Sequence, residues 1–294
     1  MANVQANGIQ IEYDTFGRRS DRPLLLVMGL GAQMIHWREE FCEQLANAGH
    51  FVVRYDNRDV GLSTKFDSAG LPDIPAIMTQ MAAGQPVSAP YTLNDMADDG
   101  IGLMDALDLP AAHICGASMG GMIVQAMAIR QPRRIKSVTS IMSSTGNREL
   151  PPAKPEAMAA LMSPAGTNRD EVAERSVAVS TVIGSPAYPA DPSETRARAI
   201  EAYERAFYPI GVARHMAAVA SHGNRKPALQ QLDVPALVIH GKADPLVPVE
   251  GGLDTHEALR GSQLMLIDGM GHDLPKQVWS QIVSGIAALT KAAN

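Results

Sequence analysis

Cysteine is nearly absent from this 294-residue chain: Cys42 and Cys115 are the only two. A disulfide framework needs more cysteines in a shorter chain, so a stapled secreted domain is excluded. Cys115 sits in the apolar run "AHICG" and reads as a small buried hydrophobe rather than a nucleophile. A reducing, cytoplasmic setting fits this usage. There is no cluster of Lys or Arg long enough to form a basic stripe, and the formal net charge is −6, which argues against a nucleic acid partner. No stretch approaches 18 apolar residues, so no membrane span is expected. The opening "MANVQANGIQIEYD" has no basic segment followed by an apolar one, so no signal peptide is expected. Internal repeats and low-complexity segments are also missing, and nothing in the sequence sets an oligomeric state.

What remains is ordinary for a globule of enzyme size: 46% hydrophobic and 19% charged residues. The order of its segments is informative. "PLLLVMG" (23–29) is a short apolar run ending at glycine, as buried parallel strands do. A helical stretch follows over 37–49, then a strand "FVVRYD" (51–56). The stretch 92–109 carries apolar residues at three and four spacing, with Thr92 or Asn94 as candidate caps. "AAHICG" reads as a strand, "SMGGMIVQAMAIRQ" as a helix stopped by Pro132, and 135–142 as a strand. The alternation resumes with strands at 235–241 and 263–269, a helix near 252–260 and a last helix over 276–291. The first residues look like a hairpin turning at Asn7-Gly8. Strands alternating with helices of this length predict an α/β fold, a mostly parallel doubly wound sheet covered on both faces. Between 143 and 226 the text is rich in proline and offers no strand. We read 1–142 and 227–294 as the core and 143–226 as a helical cap.

The segment "HICGASMGG" (113–121) poses the chemical question. Gly116, Ser118 and Gly120 form G-x-S-x-G, a weak signal by composition. Here a strand enters and a helix leaves, the setting in which a serine is held out on a sharp turn. Small neighbours are required because the turn is tight. The helix that begins at the serine aims its N–H groups and positive dipole end at the site, favouring an oxyanion. A serine hydroxyl is a poor nucleophile without a base, and the base needs an orienting acid. In this arrangement the acid and the base follow the serine in that order. "HGKADPLVP" (240–248) supplies Asp244 and "GMGHDLP" (269–275) supplies His272. Of the rival acids, Asp273 is chain-adjacent to the histidine and Asp268 ends its own strand, so both would approach the ring poorly. The oxyanion would take two backbone N–H groups, from Met119 and from Leu30 in "GLGAQ".

These motifs, together with "RYDNRDVGLS", resemble the α/β-hydrolase fold, and within it the esterase branch that includes the aclacinomycin methylesterases. The likeness runs from Leu24 to Ile282 over five separated motifs. It implies hydrolysis of a small-molecule carboxylic ester through an acyl-enzyme, with no cofactor and no metal, on short- to medium-chain or methyl esters. Two positions depart from the pattern. Met28-Gly29 stands where relatives often have His-Gly, and Asp59 stands where glycine is frequent, so no catalytic role is carried over to Asp56 or Arg58.

Rival readings follow from the same text. "GLGAQM" before a strand ending in Asp56 suggests dinucleotide binding, but Met34 replaces the third glycine and the later loops would have no purpose. A small-molecule binding protein with little turnover is a second alternative, since fold does not fix function. A lactone, thioester or C–C bond hydrolase could use the same triad. Halide displacement would want a carboxylate at position 118. His113 and His240 are expected to be structural, and ordinary packing or solvent is expected to account for His36, His50, His215, His222 and His256. Met158, Met162 and Met216 default to core packing, and "SETRARAIEAYERAF" to the wet face of a cap helix.

Overall fold

The computed structural model describes residues 1–293. Strands β1 (Ala2–Ala6) and β2 (Ile9–Phe16) form the expected hairpin. Asn7 and Gly8 both have positive φ, 49° and 77°, the backbone a two-residue hairpin turn requires. Strands β3 (Arg22–Val27), β4 (His50–Tyr55), β5 (Ala112–Ala117), β6 (Ile135–Ile141), β7 (Ala236–Gly241) and β8 (Gln263–Ile267) complete one eight-stranded sheet in the order β1-β2-β4-β3-β5-β6-β7-β8. Only the β1–β2 and β2–β4 pairs are antiparallel.

The apolar runs are continuous because both faces of the sheet are covered. Along β3, Leu24 and Leu26 enter one core while Leu25 and Val27 enter the other. Val52 and Val53 divide in the same way, as do Ile114 and Cys115. Helices α1 (Glu39–Asn47) and α11 (Trp279–Ala292) close the first face with Phe41, Leu45, Trp279, Ile282 and Ile286. Helices α3 (Leu93–Ala106) and α4 (Met119–Arg130) close the second with Leu93, Met96, Met104, Ile123 and Met127. Thr92 caps α3 through a reciprocal box with Asp95. Helix α10 (Val249–Ala258) fills the β7–β8 connection.

Between β6 and β7 the chain runs through α5 (Pro155–Leu161), α6 (Arg169–Ile183), α7 (Pro192–Arg205), α8 (Pro209–His222) and α9 (Lys226–Leu229). The described residues of this stretch include no strand. A further helix, α2 (Ile74–Ala82), has no marker in the sequence. Its Ile77 packs with Ala217 and Ala220 of α8, so the helical layer draws on a second segment of the chain. Two expectations need amendment. Met158 and Met216 are half-buried and Met162 is exposed, so none of the three is core. Helix α7 is not simply a wet face, because Arg205 reaches the fully buried Asp56 at 2.7 Å. His215 is fully buried and uses both ring nitrogens.

Candidate active site

The site stands at the carboxyl ends of the parallel strands. From β3 the chain goes outward to β4 on one side and returns as β5 on the other. The crevice at such a reversal is where open α/β sheets bind ligands. Ser118 follows β5 directly and precedes α4. Its φ of 56° and ψ of −121° lie outside the regions an ordinary serine prefers. Its N–H is tied to the Ile141 carbonyl at 2.9 Å, which fixes the turn from β6. A Cβ at Gly116 would overlap the Gly120 carbonyl, and one at Gly120 would overlap the Val27 carbonyl. The two glycines therefore let strand, turn and helix approach one another.

Asp244 follows β7 and His272 follows β8. His272 Nε2 lies 3.0 Å from Ser118 Oγ, and its Nδ1 lies 2.7 Å from Asp244 Oδ2. Asp244 is buried, and its Oδ1 accepts the N–H groups of Leu246 and Val247 at 2.9 and 2.8 Å. One carboxylate oxygen thus orients the loop and the other faces the imidazole. The two loops are laced together where the Ala243 N–H donates to the Met270 carbonyl. The helical segment 143–226 holds the histidine loop from above: His272 N–H donates to Ile183 O at 2.7 Å and Gly271 N–H to Ser185 Oγ at 2.9 Å.

The rival acids lie elsewhere. Asp268 is exposed and pairs with Lys242 at 2.8 Å. Asp273 accepts the Ser185 hydroxyl. His240 packs beneath Asp244 with Nε2 donating to Val247 O at 2.8 Å, and His113 meets Ser137 Oγ at 2.8 Å inside the sheet. Both are structural, as expected.

The Leu30 loop lies beside the serine. A Cβ built on Gly29 would stand 3.1 Å from Ser118 Cβ. Among the described residues, neither the Leu30 N–H nor the Met119 N–H meets an acceptor. In place of the frequent histidine at position 28, other groups brace this loop. Asn57 Nδ2 donates to Met28 O at 2.9 Å, and the Met34 N–H donates to Asp56 Oδ1 at 2.8 Å. Gln33 is bound by α7, donating to Ala202 O and Ala206 O at 2.6 and 2.8 Å. Asp56, Asn57 and Gln33 carried no legible role because their partners are remote in sequence. Asp59 adopts φ 64° and takes a bidentate pair from the fully buried Arg214 on α8, at 2.8 and 2.9 Å. Arg58 pairs with Asp99 at 2.6 and 2.7 Å. Among the described residues, no cluster of three or more His, Cys, Asp or Glu could hold a metal ion, and no helix is long and apolar enough to cross a membrane.

Residues 22–276 match the alpha/beta hydrolase fold family, and the chain belongs to that family. It is 29% identical to rhodomycin D methylesterase DauP of a Streptomyces species, over 95% of this chain and 94% of the relative. It is 27% identical to 3-oxoadipate enol-lactonase 2 of Acinetobacter baylyi, over 90% and 87%. Among solved structures, a meta-cleavage product hydrolase of Pseudomonas fluorescens superposes with a TM-score of 0.79 at 18% identity, covering 100% of this chain and 98% of the other. An enol-lactonase of Burkholderia xenovorans gives 0.74 at 21%, covering 99% and 100%. The fold is that of the hydrolases, and an esterase reading fits these relatives.

Proposed function

We propose that this chain is a serine carboxylesterase that cleaves a small-molecule ester through an acyl-enzyme. The observation that carries the reading is the unbroken sequence of contacts from Asp244 through His272 to Ser118, at 2.7 and 3.0 Å. Ser118 Oγ attacks the ester carbonyl carbon while His272 Nε2 takes its proton. Asp244 holds the ring with Nδ1–H directed at the carboxylate and stabilises the imidazolium. The negative oxygen of the tetrahedral intermediate is met by the Leu30 and Met119 N–H groups, supported by the lack of any other acceptor for them among the described residues. Collapse breaks the bond to the alcohol, which leaves with the proton from His272. Water then attacks the acyl-enzyme, gives its proton to His272, and releases the acid as the proton returns to Ser118.

In this reading residues 1–142 and 227–294 are the core and 143–226 the cap that limits substrate size. The names of the rhodomycin D methylesterase relatives support a methyl ester or another short acyl or alcohol group. A cytoplasmic location belongs to the same proposal, supported by two buried free cysteines. The enol-lactonase relative gives a lactone its own support as substrate.

The test is a chain-length series of activated esters, with one enol-lactone included, run on the wild-type chain and on Ser118→Ala. Turnover of an ester that falls by several orders of magnitude in Ser118→Ala is expected. Wild-type turnover retained in that variant would overturn the nucleophile assignment. Exclusive turnover of the lactone would replace the ester reading with the lactone one.

A further inference from the structure

His215 on α8 has no part in the chemistry above, yet it touches the loop that would supply an oxyanion donor. Its ring is fully buried. Nε2 lies 2.8 Å from the Arg58 carbonyl oxygen, which can only accept, so Nε2 carries the proton. Nδ1 is then a bare lone pair, and it accepts the Gly31 N–H at 3.2 Å. The chemistry of its two partners fixes one neutral tautomer. A second proton would set an N–H against an N–H. Burial, the first cause, pushes the ring down to about 4; Arg58 and Arg214 act in the same direction, while the Arg58 carbonyl and the Asp59 carboxylate oppose it.

The peptide held in this way is the one between Leu30 and Gly31, directly after the Gly29–Leu30 peptide that carries the Leu30 N–H, in a turn closed by the Ala32 N–H on the Gly29 carbonyl at 3.2 Å. Gly31 sits at φ +65°, and a Cβ there would meet Val212 Cγ2 at 2.8 Å. Val212 and His215 are three residues apart on α8, so they share one face of the helix. That face therefore presses the Gly31 Cα with a valine and binds its N–H with an imidazole. Helix α8 is itself fixed to the core by the buried Arg214–Asp59 pair.

We propose that His215 is a positioning residue for the Leu30 oxyanion donor, acting as a neutral imidazole that locks the Leu30–Gly31 peptide. It touches no reacting atom. The cap helix thereby sets the geometry of transition-state stabilisation, and not only the space left for substrate. This inference rests on the esterase reading.

The test compares His215→Ala and His215→Gln with the wild type on one activated ester, with kcat normalised to the fraction of Ser118 labelled by a phosphonate. For His215→Ala, kcat is expected to fall about 10- to 100-fold with KM nearly unchanged, less than the roughly 10²- to 10³-fold cost of removing an oxyanion donor outright, because the Leu30 N–H stays and only its support is lost. Gln can donate at one end and accept at the other, so it should recover a measurable part of that loss. A normalised kcat within twofold of wild type in His215→Ala, or Gln no better than Ala, would overturn the proposal and leave His215 a packing residue. Should the variants fail to fold, the wild-type protein decides by nitrogen NMR. A neutral Nε2–H tautomer with scalar coupling between Gly31 N and His215 Nδ1 supports the lock, and its absence removes it. Wild-type protein with no Ser118-dependent turnover would sink the esterase reading and this inference together.

Discussion

Ser118 combines a positive φ of 56° with ψ −121°, a sparsely populated conformation that costs on the order of 1–3 kcal/mol and must be imposed by its surroundings. Those surroundings are small residues in close contact. Gly120→Ala places a methyl group against the Val27 carbonyl, a backbone atom that cannot rotate away. This variant is expected to lose folded yield or several degrees of melting temperature, readable by circular dichroism. At the same scale, Asp244 accepts from the loop amides with one oxygen and faces His272 with the other. Asp244→Asn keeps the shape but presents an amide to the ring, favouring the wrong tautomer. In the esterase reading kcat should fall by about 10⁴ while the fold is kept. A loss of tenfold or less would mean that Asp244 does not orient the base.

Helix α8 joins the upper helices to the core through groups rather than through apolar area alone. Arg214 is fully buried, and Asp59 answers it with both carboxylate oxygens while also accepting the Tyr91 hydroxyl at 2.6 Å. The left-handed φ of Asp59 explains how a position where glycine is frequent carries an acid here, since aspartate tolerates that region better than most residues. Removing one member of such a pair leaves the other charge buried, at about 3–5 kcal/mol. Asp59→Ala is expected to lower the urea midpoint accordingly. If denaturation is unchanged, the pair contributes nothing and α8 is held by packing. The Tyr208 hydroxyl accepts from Arg214 at 2.5 Å, which gives the guanidinium a second anchor and makes the acid the cleaner substitution.

For the molecule as a whole, buried histidines make stability depend on pH. His113 and His215 are both pushed down to about 4, burial being the first cause in each, with Lys136 adding to it at His113. Below the ordinary imidazole range the unfolded chain takes up protons that the folded chain refuses. Stability from these groups is therefore fully present above about pH 6.5 and is lost progressively as pH falls towards 4. The loss is on the order of 3 kcal/mol for each histidine. Urea midpoints measured from pH 8 to pH 4 should fall over that window. His113→Gln, which removes one titrating ring from the sheet, should shallow the slope, and an unchanged midpoint between pH 7 and 4.5 would contradict the argument.

Much of the architecture was legible because it rests on local chemistry. The glycine-terminated apolar runs marked β3 and β5, Asn7-Gly8 marked the hairpin, and Thr92 marked the start of α3. The residues of the candidate triad could be named because each sits in a short glycine-rich loop after a strand, a pattern written in a few adjacent letters. Helix α2, the Arg205–Asp56 tie and the His215–Gly31 hydrogen bond left no such mark. Their partners are 149 and 184 residues apart in the two ties, and no local periodicity reports a contact made across that distance. Apart from α2, the sequence by itself determined which kinds of element form and in what order, because backbone propensity and burial period act over a few residues. Which side of α8 meets the Leu30 loop, and which nitrogen of a motif-less histidine carries the proton, was decided only when the folded chain brought a carbonyl and an amide to opposite edges of one ring.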